Sequence, residues 1–422
     1  MKIPLPDHVK FIITTLKSAH YEAYIVGGCV RDIIRGAQPK DWDIATSATP
    51  EQAKALFERT VDTGIKHGTI TVLLDSQPYE VTTYRVDGAY LDNRRPETVS
   101  FANKIEEDLS RRDFTMNAIA YNPHKGFADP FGGRDDIGKR IIRCVGNPMH
   151  RFGEDALRML RAIRFAATTG FSIDTEILAA ISTLNHHLKN ISPERIREEF
   201  GKLIVSPNVE AVELLHSTGL LQFMIFGVAY EGDLTEIIPW LKKCPPIEAM
   251  RLALFLHWVS SNECELILRN LRYDNKTMKE VLVYLKYASS IENLVIENLV
   301  IENLIVENLI CDRDDTTRYQ VKKILRHISQ AHFENLITLK MITNPTYLHS
   351  LEQILKTSQD IQQKGECFNL RSLAINGTDL KNAGITNGKE IGNILESLLD
   401  IVMDNPRLNK RDELLALALK AK

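Results

Sequence analysis

The sequence predicts an α+β chain: an N-terminal head of short strands and helices, then an elongated all-α C-terminal part. Short runs rich in β-branched and aromatic residues, YIVGG, WDIAT, GTITVLLD and YEVTTYR, are separated by turn residues and all fall between about residues 24 and 145. From about residue 146 onward long amphipathic stretches take over, with few strand-like runs and few glycines before GITNGKE. The 422 residues exceed one ordinary core and suit roughly two to four domains.

Composition narrows the class. With 44% hydrophobic and 25% charged residues the chain reads as a soluble globular protein. No apolar run reaches membrane-spanning length, and MKIPLPDHVKFIITTLK lacks the apolar length and cleavage site of a signal peptide, so a cytoplasmic setting is expected. The six cysteines are scattered without a CxxC, which argues against a zinc site and against a disulfide framework. A formal net charge of −3 leaves any nucleic-acid partner to local basic clusters.

The head opens with YIVGGCVRD. Its glycines let the backbone approach a ligand closely, and the helix that follows presents N–H groups to an anion, with Arg31 one turn in. DWDIAT reads as a strand in which Asp41 and Asp43 share a face, with Cα atoms roughly 6.6 Å apart, and Trp42 points away. Two such carboxylates suit shared divalent ions, and Glu80 of YEVTTYR is a third candidate from a neighbouring strand. Hard oxygen ligands without a His/Cys set favour Mg2+ in a two-metal site. The polar segment at 86–111, VDGAYLDNRRPETVSFANKIEEDLSR, reads as a functional, mobile loop without clear strands.

EDALRMLRAIRFA is a strong helix former, and on one helix Asp155 and Arg158, at i and i+3, would be neighbours. Arg158, Arg161 and Arg164 fan around that helix, the last two toward phosphates or neighbouring elements. Further on, Ile291–Ile310 repeats a five-residue unit four times. Each unit turns a helix by about 140° relative to the last, so the leucines spiral, and the repeat reads as a duplication lengthening a helix where length is tolerated.

GGxVRD followed by DxD resembles the signature of polymerase-β-like nucleotidyltransferases. DLSRRDFTMNAIAYN (108–122), DPFGGRDDI (129–137), RFGEDALRMLRAIRFA (151–166) and ERIREEF (194–200) are similar to further motifs of the bacterial-type (class II) CCA-adding tRNA nucleotidyltransferases and their poly(A) polymerase relatives. The resemblance implies a head of small mixed sheet with helices. It implies metal roles for Asp41 and Asp43 and nucleotide-binding roles for Gly28, Arg31, Arg112, Asp155, Arg158, Arg161 and Arg164, with Asp113 near the ribose. Asp155 and Arg158 match the amine donor and ring-nitrogen acceptor that cytosine and adenine share, and mismatch guanine and uracil.

The implied function is template-independent addition or repair of the 3′ CCA of tRNA from CTP and ATP, releasing pyrophosphate. The full-length look of 86–111 favours both C and A. A poly(A) polymerase or a CC- or A-only enzyme is the alternative, and an inactive helical RNA-binding protein a more distant one. The expected domains are a catalytic head at 1–145, a helical neck at 146–205, a helical body at 206–330 and a tRNA-binding tail at 331–422, in a monomer or homodimer. Lys322-Lys323 with Arg326, and Arg407 with Lys410-Arg411, are candidate phosphate contacts.

Overall fold

A computed structural model of the chain describes residues 3–88, 98–230, 232–306 and 314–420. They fall into two units. One holds residues 1–230 together with 267–273, and the other holds 231–266 and 274–422.

The strands of the first unit are β1 Ala23–Val26, β2 Asp43–Thr46, β3 Thr60–Gly64, β4 Thr69–Leu74, β5 Gln77–Thr83, β6 Arg85–Asp87, β7 Val99–Phe101, β8 Ala120–Asn122, β9 Gly126–Ala128, and β10 Ile141–Ile142 and β11 Ser172–Ile173, which pair with each other in parallel. Seven of them form one mixed sheet in the order β3-β4-β5-β2-β1-β8-β9, and β6 pairs with β7 separately. Only the β2–β5 pair in that sheet is parallel; it sets Asp43 opposite Glu80. All four residues of β1 are buried, as befits a central strand covered on both faces.

The helices are α1 Asp7–Ser18, α2 Gly28–Ile34, α3 Pro50–Lys54, α4 Ile105–Ser110, α5 Gly133–Lys139, α6 Pro148–Glu154, α7 Leu157–Thr169, α8 Thr175–Leu184 and α9 Pro193–Ile204. α1 buries Val9, Ile12, Ile13 and Leu16, the spacing of one helix face. DPFGGRDDI proves architectural. Asp129 accepts from the N–H of Gly133 at 2.7 Å and of Arg134 at 2.9 Å at the start of α5, and a Cβ on Gly133 would stand 2.1 Å from the Thr115 carbonyl oxygen.

Three expectations are corrected here. β2 begins at Asp43, so Asp41 and Trp42 precede the strand instead of lying within it. The segment at 86–111 is not strandless: it carries most of β6, all of β7, and α4. Its centre, 89–97, lies outside the described residues. EDALRMLRAIRFA is not one helix. Asp155 is extended (φ −135°, ψ 104°) and its carboxylate accepts from the N–H of Leu157 at 3.1 Å, so α6 ends and α7 begins around it. Aspartate competes for nearby backbone N–H groups in this way, and Gly153 adds little to hold the turn before it helical.

The second unit is helical. Asn275–Val306 is a helix that runs into the repeat, whose last residues, 307–310, lie outside the described residues. The first repeat unit does form a stripe: Ile291, Leu294 and Val295 are buried, while Ile296 is exposed. A second core gathers Leu380, Leu399, Val402, Met403 and Leu414. Lys322 is 1% exposed, donating to the Met403 carbonyl oxygen at 2.9 Å and paired with Glu366 at 2.7 Å, so it is no phosphate contact. Arg326 is paired with Glu396, Lys410 with Glu413 and Arg411 with Asp379. Among the described residues no helix is long and apolar enough to cross a membrane.

Candidate active site

A cavity of about 770 Å³ opens in the first unit. Every predicted site residue except Glu80 lines it: Gly28, Arg31, Asp41, Asp43, Arg112, Asp155, Arg158, Arg161 and Arg164. Sequence reasoning missed others on the same wall, among them His67, Arg85, Arg111, Asn117, Phe165 and Arg195. Arg111, Asn117, Phe165 and Arg195 sit inside motifs already singled out; His67 and Arg85 carried no signal of their own.

The glycine pair divides its work unexpectedly. Gly27 takes φ +73°, and a Cβ there would stand 2.8 Å from Nη1 of Arg112. The backbone conformation is what demands glycine at 27, since the arginine tip could shift aside. Gly28 starts α2 with ordinary dihedrals, and a Cβ on it would find nothing nearer than 3.8 Å.

The carboxylates sit at the end of β2. Burial first, then the charges of Asp41 and Glu80, push the Asp43 carboxyl up to about 6, against the pull of Arg112. Glu80 shares a face with Asp43 through the β2–β5 register, but it is exposed and does not line the cavity. Among the described residues no three His, Cys, Asp or Glu side chains are arranged to hold an ion together. The hard-oxygen pair Asp41 and Asp43, one member of which resists ionising, is the donor set a divalent cation would relieve.

Several arginines line the same cavity, each braced. Arg31 donates to Asn117 at 2.8 Å and pairs with Asp32 at 2.9 Å. Asp108, 1% exposed, is paired with Arg111 at 2.7 Å and Arg112 at 3.2 Å. Burial alone would raise that carboxyl, but Arg112 and then Arg111 hold it below the ordinary value. Asp113 accepts from Arg161 at 2.6 Å and 2.9 Å and from Asn117 at 3.0 Å. Burial acts against its charge too, and is overcome by Arg161, so it stays ionised well below the usual carboxylate range. Asp113 lines the cavity as well, and its oxygens hold Arg161 and Asn117 there. Arg164 pairs with Glu199 of α9 at 2.7 Å and lies 3.5 Å over the Phe165 ring, with Arg31 at 5.2 Å and Arg161 at 5.4 Å from the same ring. Cation–π attraction and buried carboxylates thus hold several like charges together.

Asp155 and Arg158 both face the cavity, but they do not pair. Asp155 is bound by Arg195 of α9 at 2.9 Å. Arg158, 7% exposed, pairs with Glu154 and donates to the carbonyl oxygens of Arg151 and Arg111, each at 3.1 Å. One cavity thus gathers the carboxylates of Asp41, Asp43 and Asp155 with the braced guanidiniums of Arg31, Arg112, Arg158, Arg161 and Arg164.

The family described as "Poly A polymerase head domain" matches residues 23–143, and that described as "Probable RNA and SrmB-binding site of polymerase A" matches 170–230. The CCA-adding enzyme of Geobacillus thermodenitrificans is 45% identical over 277 residues, 64% of this chain and 67% of that protein. That of Anoxybacillus flavithermus is 43% identical over 286 residues, 67% of this chain and 71% of that protein. Among solved structures, the Bacillus stearothermophilus CCA-adding enzyme in complex with CTP superposes with a TM-score of 0.78 at 30% identity, covering 98% of this chain and 96% of its own. The Thermotoga maritima CCA-adding enzyme complexed with tRNA superposes at 0.66 and 20% identity, covering 99% and 96%, a likeness of fold.

Proposed function

From the premise that the chain belongs to the family of the CCA-adding enzymes, we infer that it is a template-independent nucleotidyltransferase that builds or repairs the 3′-terminal CCA of tRNA from CTP and ATP and releases pyrophosphate. The observation that carries this reading is the cavity lined together by Asp41, Asp43, Arg31, Arg112, Arg161, Arg164, Asp155 and Arg158.

In this reading the 3′ hydroxyl of the primer attacks the α-phosphate of the incoming nucleotide. Asp41 and Asp43 would hold divalent cations, Mg2+ by the hardness of the ligands, which when bound supply acidity to the attacking hydroxyl and charge to the leaving pyrophosphate. Arg31, Arg112, Arg161 and Arg164 orient the triphosphate, and their carboxylate braces leave the guanidiniums little to reorganise. Asp155 accepts from the exocyclic amine of cytosine or adenine, and Arg158 donates to the ring nitrogen beside it. Arg195 and Glu154 are positioning residues that keep the two groups in place. The helical second unit holds the body of the tRNA. The five described cysteines are buried free thiols, which supports a cytosolic setting.

The test is extension of a tRNA that ends at its discriminator base. CTP alone should add two residues, ATP alone none, and the two together CCA. A tail of adenosines from ATP alone would make the chain a poly(A) polymerase and overturn the reading.

A further inference from the structure

One exposed aromatic side chain, next to residues that line the cavity, is unexplained by the nucleotide site. Phe101 ends β7 and is 49% exposed. Its register partner across the β6–β7 pair is Arg85, and partners directly opposite in a ladder put their side chains on the same face. Arg85 lines the cavity and donates to the backbone carbonyl oxygen of His67, which lines it too. The ring rests on the next residue, Gly68: its Cε1 stands 3.1 Å from where a Cβ of Gly68 would be, with Thr83 beside it at 3.4 Å. Gly68 at φ +83° has no side chain to lift the ring away. A half-exposed aromatic ring is therefore packed against the Gly68 backbone, with Arg85, a cavity-lining residue, as its partner across the ladder.

We propose that Phe101 is a stacking platform for the terminal base of the RNA primer. The proposal rests on the reading above, which requires an RNA end beside the nucleotide. Three features of the site select this occupant. The ring adjoins Gly68, which follows the cavity-lining His67, and is paired across the ladder with the cavity-lining Arg85. Arg85 supplies charge for a backbone phosphate. An aromatic face accepts any base, which suits a primer whose last base changes between successive additions. Arg85 and His67 are positioning residues for this end.

The test uses the full-length chain with Phe101→Leu, Phe101→Ala and Phe101→Trp, and tRNA primers ending in one or two cytidines. Loss of one base stack should raise the primer KM about tenfold or more in the Leu and Ala variants. The fall in kcat should be smaller, the KM for CTP and ATP should stay within about twofold, and Phe101→Trp should retain tight primer binding. A primer carrying 5-iodocytidine at its 3′ end should photocrosslink to the peptide containing Phe101, and the Leu variant should lose that crosslink. An unchanged primer KM in Phe101→Leu, a rise in nucleotide KM in its place, or a crosslink to another element would overturn the platform. Extension by the wild type with the crosslink elsewhere overturns the platform alone. A crosslink at Phe101 without any extension keeps the platform and overturns the tRNA reading.

Discussion

At Asp43 the fold holds a carboxyl against its own preference: burial, then Asp41 and Glu80, push it up to about 6. The sign of the consequence follows from linkage. Below the ordinary carboxylate range the proton is bound in both folded and unfolded chains, and nothing is lost. Between about pH 4 and 6 the folded chain keeps a proton that the unfolded chain has released, so this group's contribution to stability falls as pH rises; above about 6 the cost is complete. Asp43→Asn should therefore raise the Tm of the metal-free protein at pH 7.5, lose that advantage near pH 4, and abolish primer extension. Calorimetry at the two pH values decides it, and an equal gain at both would rule out the electrostatic account. Asp155 and Arg158 make a second residue-scale prediction. Truncating either to Ala removes one contact worth about 1–3 kcal/mol, so discrimination against UTP and GTP should shrink roughly ten- to a hundredfold per lost contact. The measurement is kcat/KM for all four nucleotides on one primer. An equal loss on all four would make this a structural element and end the template idea.

Among the elements, the break between α6 and α7 matters most. On a continuous helix Asp155 and Arg158 would have neutralised each other. The extended Asp155 hands that carboxylate to Arg195 and leaves Arg158 to Glu154. The helix Asn275–Val306 tells a different story. Its first repeat unit is packed through Ile291, Leu294 and Val295, and Glu292 pairs with Lys340. Deleting residues 296–305 keeps that unit and removes two later ones. The variant should still incorporate CTP and ATP on a minihelix at near wild-type rate, because the catalytic motifs lie in the other unit. The downstream helix is re-phased, so a lower Tm is expected. A folded deletion variant that no longer incorporates nucleotide would give the repeat a part in the chemistry.

For the whole molecule, the division between units does not follow the chain. Residues 267–273 return to the first unit, and Ile267, Leu268, Leu271 and Tyr273 are all buried. A fragment of residues 1–275 should accordingly melt cooperatively and at higher temperature than one of residues 1–230, which lacks that segment. Thermal denaturation of both fragments checks this, and equal melting temperatures would mean the returning segment adds nothing to the first unit.

The sequence by itself determined the class of the head and the family, and nine of its ten predicted site residues line the cavity. Glycines, paired aspartates and spaced arginines are chemical requirements of phosphate and metal binding, and they leave local patterns. Tertiary structure decided what each charge is bonded to. Asp113 turned out to brace Arg161, and Glu80 stayed outside the cavity while still acting on Asp43 through the sheet register. The demand for glycine fell on Gly27, because the folded backbone takes φ +73° there. Lys322, basic and solvent-facing by sequence pattern, was buried because Glu366 and the Met403 carbonyl lie some distance along the chain but close in space. Propensity and periodicity act over a few residues, whereas an ion pair is chosen among all the charges that packing brings within reach, and that choice is made only when the chain has folded.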